Sequence, residues 1–397
     1  MSVHLLTVNG GSSSLKFAVF AANERLQRGL TGVIERIGLP GGTLRAGDGG
    51  ASPTVEQPCP APDHAAAVAQ LVQFLDGRIG LSNIAAVGHR IVHGGERYMQ
   101  SSPIDEALIA ELRRLSPLDP AHLPGEIAII EGVQRSCPGL CQFACFDTAF
   151  HRDLPRVAQL LPLPRRYAAA GIRRYGFHGL SYTYLLEELA RIAGPAAAQS
   201  RIVFAHLGAG CSLAAVRDGK CRETTMGFTP TSGLVMGRRS GDVDPGALIH
   251  LLRQEQLTVD QLDDLLNHEA GLLGLSETSP DVRDLLARER DDPRAAEAVD
   301  VFCYQARKWI AACAAAIGGL DTLVFSAGIG QNSPVIRSRI CSELEFLGVT
   351  LDEARNGANG AVISATGAPV VVRVIRTDEE VMIARDVLKL LSEEGHQ

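Results

Sequence analysis

No apolar run in the 397 residues is long enough to cross a bilayer. The N-terminal stretch MSVHLLTVNGG lacks the charged start and long apolar core of a secretory leader. No basic run stands out against a formal net charge of −7, which argues against a nucleic-acid partner. We therefore expect a cytoplasmic protein with neither a nucleic-acid nor a membrane partner. A GxxxxGK(S/T) loop, a well-placed GxGxxG fingerprint and a GxSxG elbow are also missing. That excludes the two common nucleotide folds and a serine hydrolase built on GGSSS. The nine cysteines are an odd number in a long chain, which suits a reducing compartment. Cys137, Cys141 and Cys145 recur every four residues, but Pro138 and Gly139 break any helix that would align them. No histidine or carboxylate pattern completes a metal site there, so core thiols are expected.

What is present describes a globular chain: 46% apolar and 21% charged residues, long enough for two or three domains. Leu5–Val8 and Leu15–Phe20 read as strands around a small, polar turn, NGGSSS, followed by Lys16. That turn is either a simple hairpin loop or an anion cradle, in which glycines admit a ligand close to the backbone. Residues 38–62 read as a Gly/Pro-rich surface excursion, His64–Leu75 as an amphipathic helix, and Ala85–Val92 and Cys141–Phe146 as strands. Residues 202–216, IVFAHLGAGCSLAAV, repeat the strand–glycine–strand pattern, and Ser14-Leu15 overlays Ser212-Leu213. Two such hairpins, one opening each half, predict a duplicated α/β domain with a cleft between the copies. Ser181 is expected to cap a helix ending at Gly194-Pro195. Asp292 and Pro293 should start a long helix that ends near Gly318-Gly319, with Ala298, Phe302, Ala306, Trp309, Cys313 and Ile317 on its core face. Thr322–Ser326 reads as a buried strand, AGIGQN as a turn, and Ser333-Pro334 as another helix start.

Three Gly-rich turns thus follow strands: NGGSSS, HLGAGCS and SAGIGQNS. Polar residues in apolar settings accompany them. GHRIVHGGE sets Arg90 in a buried strand, either paired with a carboxylate at a sheet edge or ready to grip a carboxylate or phosphate. ACFDTAFH places Asp147 directly after a strand, and RRYGFHG places His178 between Phe177 and Gly179. Residues 226–246, MGFTPTSGLVMGRRSGDVDPG, form a long charged loop of the functional kind. TDEEVMIARDVLKLL opens an amphipathic helix with acids that also suit its dipole.

In this order and spacing the chain resembles the acetate kinases. The shared blocks are VNGGSSSLK, GHRIVHGGE, FDTAFH, RYGFHG, HLGAGCS, TTMGFTP, GLVMGRRSGDVDPG, GLLGLSETSPDVRD, AGIGQNS and TDEE. The resemblance implies two duplicated ribonuclease H-like α/β domains of the acetate and sugar kinase/actin superfamily, with a nucleotide cleft between them. It divides the chain into an acyl-binding lobe, 1–148 plus 380–397, and a nucleotide-binding lobe, 149–379. The implied reaction is reversible, ATP-dependent phosphorylation of a short-chain carboxylate, acetate first, with propionate or butyrate as alternatives. Asp147, His178 and Arg239 are implied as catalytic. Arg90 would bind the carboxylate, with Val92, Leu118, Phe177 and Pro230 around the acyl group. Ser12, Ser14 and Lys16 would meet the phosphates. ATP would contact His206, Leu207, Gly208, Ala209 and Gly210, then Asp281, Val282 and Arg283, and finally Gly328, Ile329, Gly330, Gln331 and Asn332. Asn9 and Glu379 would place Mg²⁺, with Mn²⁺ as an alternative, and the family implies a homodimer.

The chain departs from the family pattern in places. PLDP stands for the usual PLHNP, so Asp119 replaces a histidine and one residue is missing. Ala209 replaces the asparagine of HLGNG, Tyr182 ends FHGLSY in place of FHGTSH, Gln331 stands in AGIGQN for AGIGEN, and GFTPTSG replaces GFTPLEG. These bear on substrate preference and efficiency more than on reaction type. A nucleotide-switched binding protein of the actin or chaperone ATPase kind would keep the phosphate hairpins, but it has no need of Arg90, Asp147 and Arg239 together.

Overall fold

The computed structural model describes residues 3–48 and 54–394. The chain divides into two compact units, Met1–Phe150 with Asp378–Gln397, and His151–Thr377.

Alternating apolar residues flanked by glycine give the first unit its strands. Among the described residues these are β1 (His4–Gly10), β2 (Ser14–Ala21), β3 (Arg28–Glu35), β4 (Thr43–Gly47), β5 (Val55–Pro58), β6 (Ile84–Ile91), β7 (Ser102–Pro103) and β8 (Cys141–Phe146). They form one sheet in the order β5-β4-β3-β2-β1-β6-β8-β7. The 38–62 stretch is therefore no mere surface excursion. Its β4 and β5 extend the sheet as an antiparallel hairpin, while residues 49–53 fall outside the described residues. One face is covered by helices α1 (His64–Ile79) and α2 (Leu123–Ser136), which bury Leu71, Leu75, Ile129 and Val133 against Val8, Phe17 and Val87. The helices meet at Gly132, where a Cβ would come within 3.1 Å of Val68. Side chains alternate across a strand, so Gly88 faces the other side. There the C-terminal helix, Glu379–Glu394, packs on β1 and β6.

The second unit carries β9 (Ile202–Leu207), β10 (Cys211–Arg217), β11 (Lys220–Thr224), β12 (Thr322–Ser326) and β13 (Val371–Val374), in the order β11-β10-β9-β12-β13. Pairings along it run antiparallel, antiparallel, parallel, parallel. The stretch β3-β2-β1-β6-β8 of the first unit has the same sequence of senses. The architecture is the duplicated α/β, ribonuclease H-like one expected from the hairpins. Their register differs, however. Gly10 pairs with Leu15 across residues 11–14, whereas Leu207 pairs with Cys211 across 208–210. The overlay of Ser14-Leu15 on Ser212-Leu213 is thus displaced from the ladders.

Helix α3 (Gly179–Ala193) starts earlier than Ser181 implied, because His178 takes the N-cap position at φ 59°. Ser181 is instead buried within the first turn and bonded elsewhere. Helix α4 (Pro293–Ile317) begins on Asp292, whose carboxylate accepts from Arg294 N, and ends at Gly318, φ 77°. Its buried face includes Ala298, Phe302, Ala306, Cys313 and Ile317, with Trp309 half-buried. AGIGQN is not a turn but a short helix, α5 (Ala327–Asn332), entered through Ala327 at φ 61°. Ser333 then caps α6 (Pro334–Cys341) through Ile336 N. Of the spaced cysteines, Cys145 is buried, Cys137 half-buried and Cys141 exposed. Cys141 opens β8, ahead of the buried part of the strand, so it is not a core thiol.

Candidate functional site

In the first unit the polar groups gather where β1, β6 and β8 end. Parallel pairing sets Arg90 beside Cys145 and Ile91 beside Phe146, so Asp147 emerges one step beyond the strand. Arg90 Nε and Nη2 donate to Asp147 Oδ2 at 3.1 and 2.5 Å, and Asp147 is fully buried. Asp147 Oδ1 is buried and has no hydrogen-bond partner. Arg90 Nη1 donates to Asn9 Oδ1, and Asn9 Nδ2 donates to Glu379 Oε2, each at 3.4 Å. Lys16 lies opposite Asn9 in the β1–β2 ladder and its charge acts on Glu379. Burial resists the charge on Arg90, but Asp147, Glu379 and Glu126 outweigh it and raise the guanidinium's pKa. Glu379 is pushed up to about 7, first by loss of solvent and then by Asp147 and Glu380, against the pull of Arg90 and Lys16.

Arg90, Asp147, Asn9 and Glu379 are thus brought together. Ser12 is exposed in the turn and Ser14 begins β2. The turn itself is closed by Gly11 N donating to Ser14 O at 2.7 Å, and His64 Nε2 contacts Gly11 O at 2.9 Å. A Cβ on Gly10 would meet Ile129 Cδ1 at 2.5 Å, so that side chain would have to shift to admit it.

Sequence reasoning missed Glu126. It is buried in the first turn of α2, and its two carboxylate oxygens accept from Val92 N at 3.2 and 3.1 Å. Burial pushes its pKa up to about 8, with Asp119 and Asp147 adding to the rise. Its position on the apolar stripe of α2, between Leu123 and Ile130, is the signal that would have found it. Leu118 is half-buried at the end of the 3-10 turn Ser116–Leu118. Asp119, next to it, is buried, and its Oδ1 accepts from His122 N at 3.2 Å and meets His122 Nδ1 at 2.8 Å.

In the second unit the turn between β9 and β10 is the focus. Gly208 N donates to Gly210 O at 3.1 Å, which closes it. A Cβ on Gly210 would lie 3.3 Å from His178 Nε2 and 3.7 Å from Arg239 Nη1, so both side chains border the turn. A Cβ on Gly208 would touch Ala327 at 3.4 Å, which brings the start of α5 alongside. Gly237 N donates to Ala209 O at 3.4 Å, and a Cβ there would sit 3.0 Å from Pro280 O, next to Asp281. Three nucleotide segments named from the sequence, His206–Gly210, Asp281–Arg283 and Gly328–Asn332, therefore adjoin.

Asp281 caps the helix Val282–Arg288 and pairs with Arg283. Asn332 Nδ2 donates to Gly328 O at 2.9 Å. Arg239 Nη1 also donates to Pro230 O at 3.3 Å, while Phe177 is buried and its carbonyl meets His151 Nε2 at 2.9 Å. The 226–246 loop is ordered by its own bonds: Gly233 N to Asp242 Oδ1 at 2.8 Å and Met236 N to Arg239 O at 3.1 Å.

Two copies of one α/β unit, one bearing a buried arginine–aspartate pair and the other a glycine turn bordered by histidine and arginine, define a phosphoryl-transfer enzyme. Residues 4–385 match the model of the acetokinase family. The chain belongs to the acetokinase family, kinases that transfer phosphate to a carboxylate. It is 42% identical to an acetate kinase of Rhodopseudomonas palustris (strain TIE-1) over 396 residues, covering 98% of this chain and 99% of the relative. It is 44% identical to a propionate kinase of Citrobacter rodentium, covering 98% and 97%. Among solved structures it superposes on an acetate kinase of Porphyromonas gingivalis with a TM-score of 0.90 at 36% identity, covering 98% of this chain and all of the other. Among the described residues no helix is long and apolar enough to cross a membrane.

Proposed function

We propose that this chain transfers the γ-phosphoryl group of ATP directly and reversibly to acetate or propionate, giving an acyl phosphate and ADP. The observation that carries this reading is the Arg90–Asp147 pair at the end of β6. Two of the five guanidinium N–H groups serve Asp147 and a third serves Asn9, which leaves one hydrogen each on Nη1 and Nη2 to hold a substrate carboxylate in two-pronged fashion. A carboxylate is already ionised at neutral pH and needs no base to attack phosphorus. The protein's work is then alignment and charge stabilisation. Arg239 and His178, bordering the 208–210 turn, supply that stabilisation on the phosphoryl side. Asp147 orients Arg90 rather than removing a proton. Val92, Leu118, Phe177 and Pro230 form the apolar seat of the acyl group. Ser12, Ser14 and Lys16 serve the phosphates, and the 206–210, 281–283 and 328–332 segments serve ATP.

The acid cluster in the first unit fits magnesium. Asp147 Oδ1 is buried without a partner, and Asn9 and Glu379 add further oxygen donors. Among the described residues no three His, Cys, Asp or Glu side chains form a complete metal cage. The donor set therefore suits an ion that completes its shell with phosphate and water. Bound there, Mg²⁺ would neutralise phosphate charge. As further parts of the proposal the enzyme is cytoplasmic and a homodimer, the latter read by light scattering. Hydroxylamine trapping tests the whole: purified protein with ATP, Mg²⁺ and acetate or propionate should yield the hydroxamate. ATP binding with no hydroxamate from acetate, propionate or butyrate would refute the reading.

A further inference from the structure

The helix Val259–Asp264 runs on into a π-turn, Leu265–Glu269. The last carbonyls of a helix have no partner within it, and π-turns are rare and frequent at functional sites. Three successive residues of this turn bond to the 226–246 loop. Ser240 N donates to Leu266 O at 3.0 Å, Thr231 Oγ1 to Asn267 Oδ1 at 2.5 Å, and Arg238 Nη1 to His268 O at 3.3 Å. Arg238 and Ser240 flank Arg239, whose Nη1 donates to Pro230 O at 3.3 Å. We infer, on the kinase reading above, that Thr231 and Asn267 are positioning residues. Their bond fixes the Pro230 carbonyl, which in turn holds the Arg239 guanidinium beside the 208–210 turn.

Peptide geometry carries the assignment. Pro230 O and Thr231 N belong to one planar unit, so whatever fixes Thr231 fixes the direction of that carbonyl. Thr231 N donates to Thr229 Oγ1 at 3.3 Å, and its hydroxyl reaches Asn267. The far side of Asn267 sets the direction of the second bond. There its amide meets Asp263 O at 3.1 Å and Asp263 Oδ1 at 2.9 Å. A backbone carbonyl can only accept, so Nδ2 points at Asp263 and Oδ1 at Thr231. The threonine therefore donates. The other side of the loop is held by the segment that follows the π-turn, with Leu272 N on Met236 O at 2.9 Å and Leu273 N on Gly237 O at 3.0 Å. Gly271, at φ 65°, permits that approach, since a Cβ would lie 2.3 Å from Met236 O. The Thr231–Asn267 bond brings the Pro230 side onto the same mount. Where the family pattern reads GFTPLEG this chain reads GFTPTSG, and a leucine at 231 has no hydroxyl to donate. A guanidinium held at Nη1 has less freedom to lose when it meets the phosphoryl group.

Thr231→Val keeps the branched shape and removes only the hydroxyl, and Asn267→Leu removes its partner. With ATP and acetate or propionate, each should lower kcat by about 3- to 10-fold, the worth of one hydrogen bond, with both KM values within about twofold of wild type. In an Arg239→Lys background, which lacks Nη1, adding Thr231→Val should cost less than about twofold. In ligand-free protein, hydrogen exchange read by mass spectrometry should be about 3- to 10-fold faster in Thr231→Val for peptides spanning 228–240. An unchanged kcat, an equal penalty in the Arg239→Lys background, or unchanged exchange overturns the inference. If Asn267→Leu does not fold, Thr231→Val alone decides. A wild type that makes no hydroxamate defeats the kinase reading, and exchange in the loop then decides whether the Thr231–Asn267 bond holds it.

Discussion

Arg90 feels three carboxylates, from Asp147, Glu379 and Glu126, and of the three it is Asp147 that accepts its hydrogen bonds. Glu126 faces the Val92 amide instead, and burial pushes its pKa from 4.5 to about 8. The native protein therefore holds a proton that the unfolded chain has released across that interval. The resulting stability is fully present below the unfolded value and is lost as pH rises toward about 8. In metal-free buffer we expect the melting temperature of the wild type to fall through this window relative to Glu126→Gln, which carries no titrating group. Parallel curves for the two proteins would contradict the assignment. Arg90 and Asp147 were legible in the sequence because a charge inside or just after an apolar strand has to be explained. Glu126 was not, because a glutamate in a helix ordinarily reads as solvated unless its place on the apolar stripe between Leu123 and Ile130 is weighed.

Elements deliver these residues. The C-terminal helix reaches β6 only because Gly88 has no side chain. A Cβ there would lie 2.4 Å from Ile383 Cγ2 and 2.6 Å from Val387 Cγ2. Gly88→Ala should destabilise the protein by about 1–3 kcal/mol through overpacking, read as a lower urea midpoint. It should also reduce turnover, because Glu379 opens the displaced helix. An unchanged midpoint and rate would show that the helix tolerates the shift. Strands β1, β2, β6, β8 and β12 and helix α4 were readable to within a few residues from their apolar runs and flanking Asp, Pro and Gly, whereas the eight-residue β3 was not read. Nor were the short elements. AGIGQN has the composition of a turn yet winds into α5, and β4 and β5 hide in a Gly/Pro-rich stretch because sheet pairing, β4 on β3 and β5 on β4, organises them. His178 displaced Ser181 as the cap because its backbone turns left-handed, which residue type alone does not reveal.

At the level of the whole molecule, one pattern of strand senses occurs twice, and each copy presents its polar residues at the ends of equivalent strands. Duplication was visible from the two hairpins, but the offset in their registers was not, because turn closure rather than composition sets it. The two copies have diverged in chemistry. The first holds an arginine paired with a buried aspartate among further acids, and the second a glycine turn bordered by histidine and arginine. That division of labour supports one transfer with no covalent stop on the protein. Its most direct measurement is the stereochemistry at a chirally labelled γ-phosphorus of ATP, read in the acyl phosphate. Inversion is the expected result, and net retention, which signals two successive displacements, would contradict direct transfer.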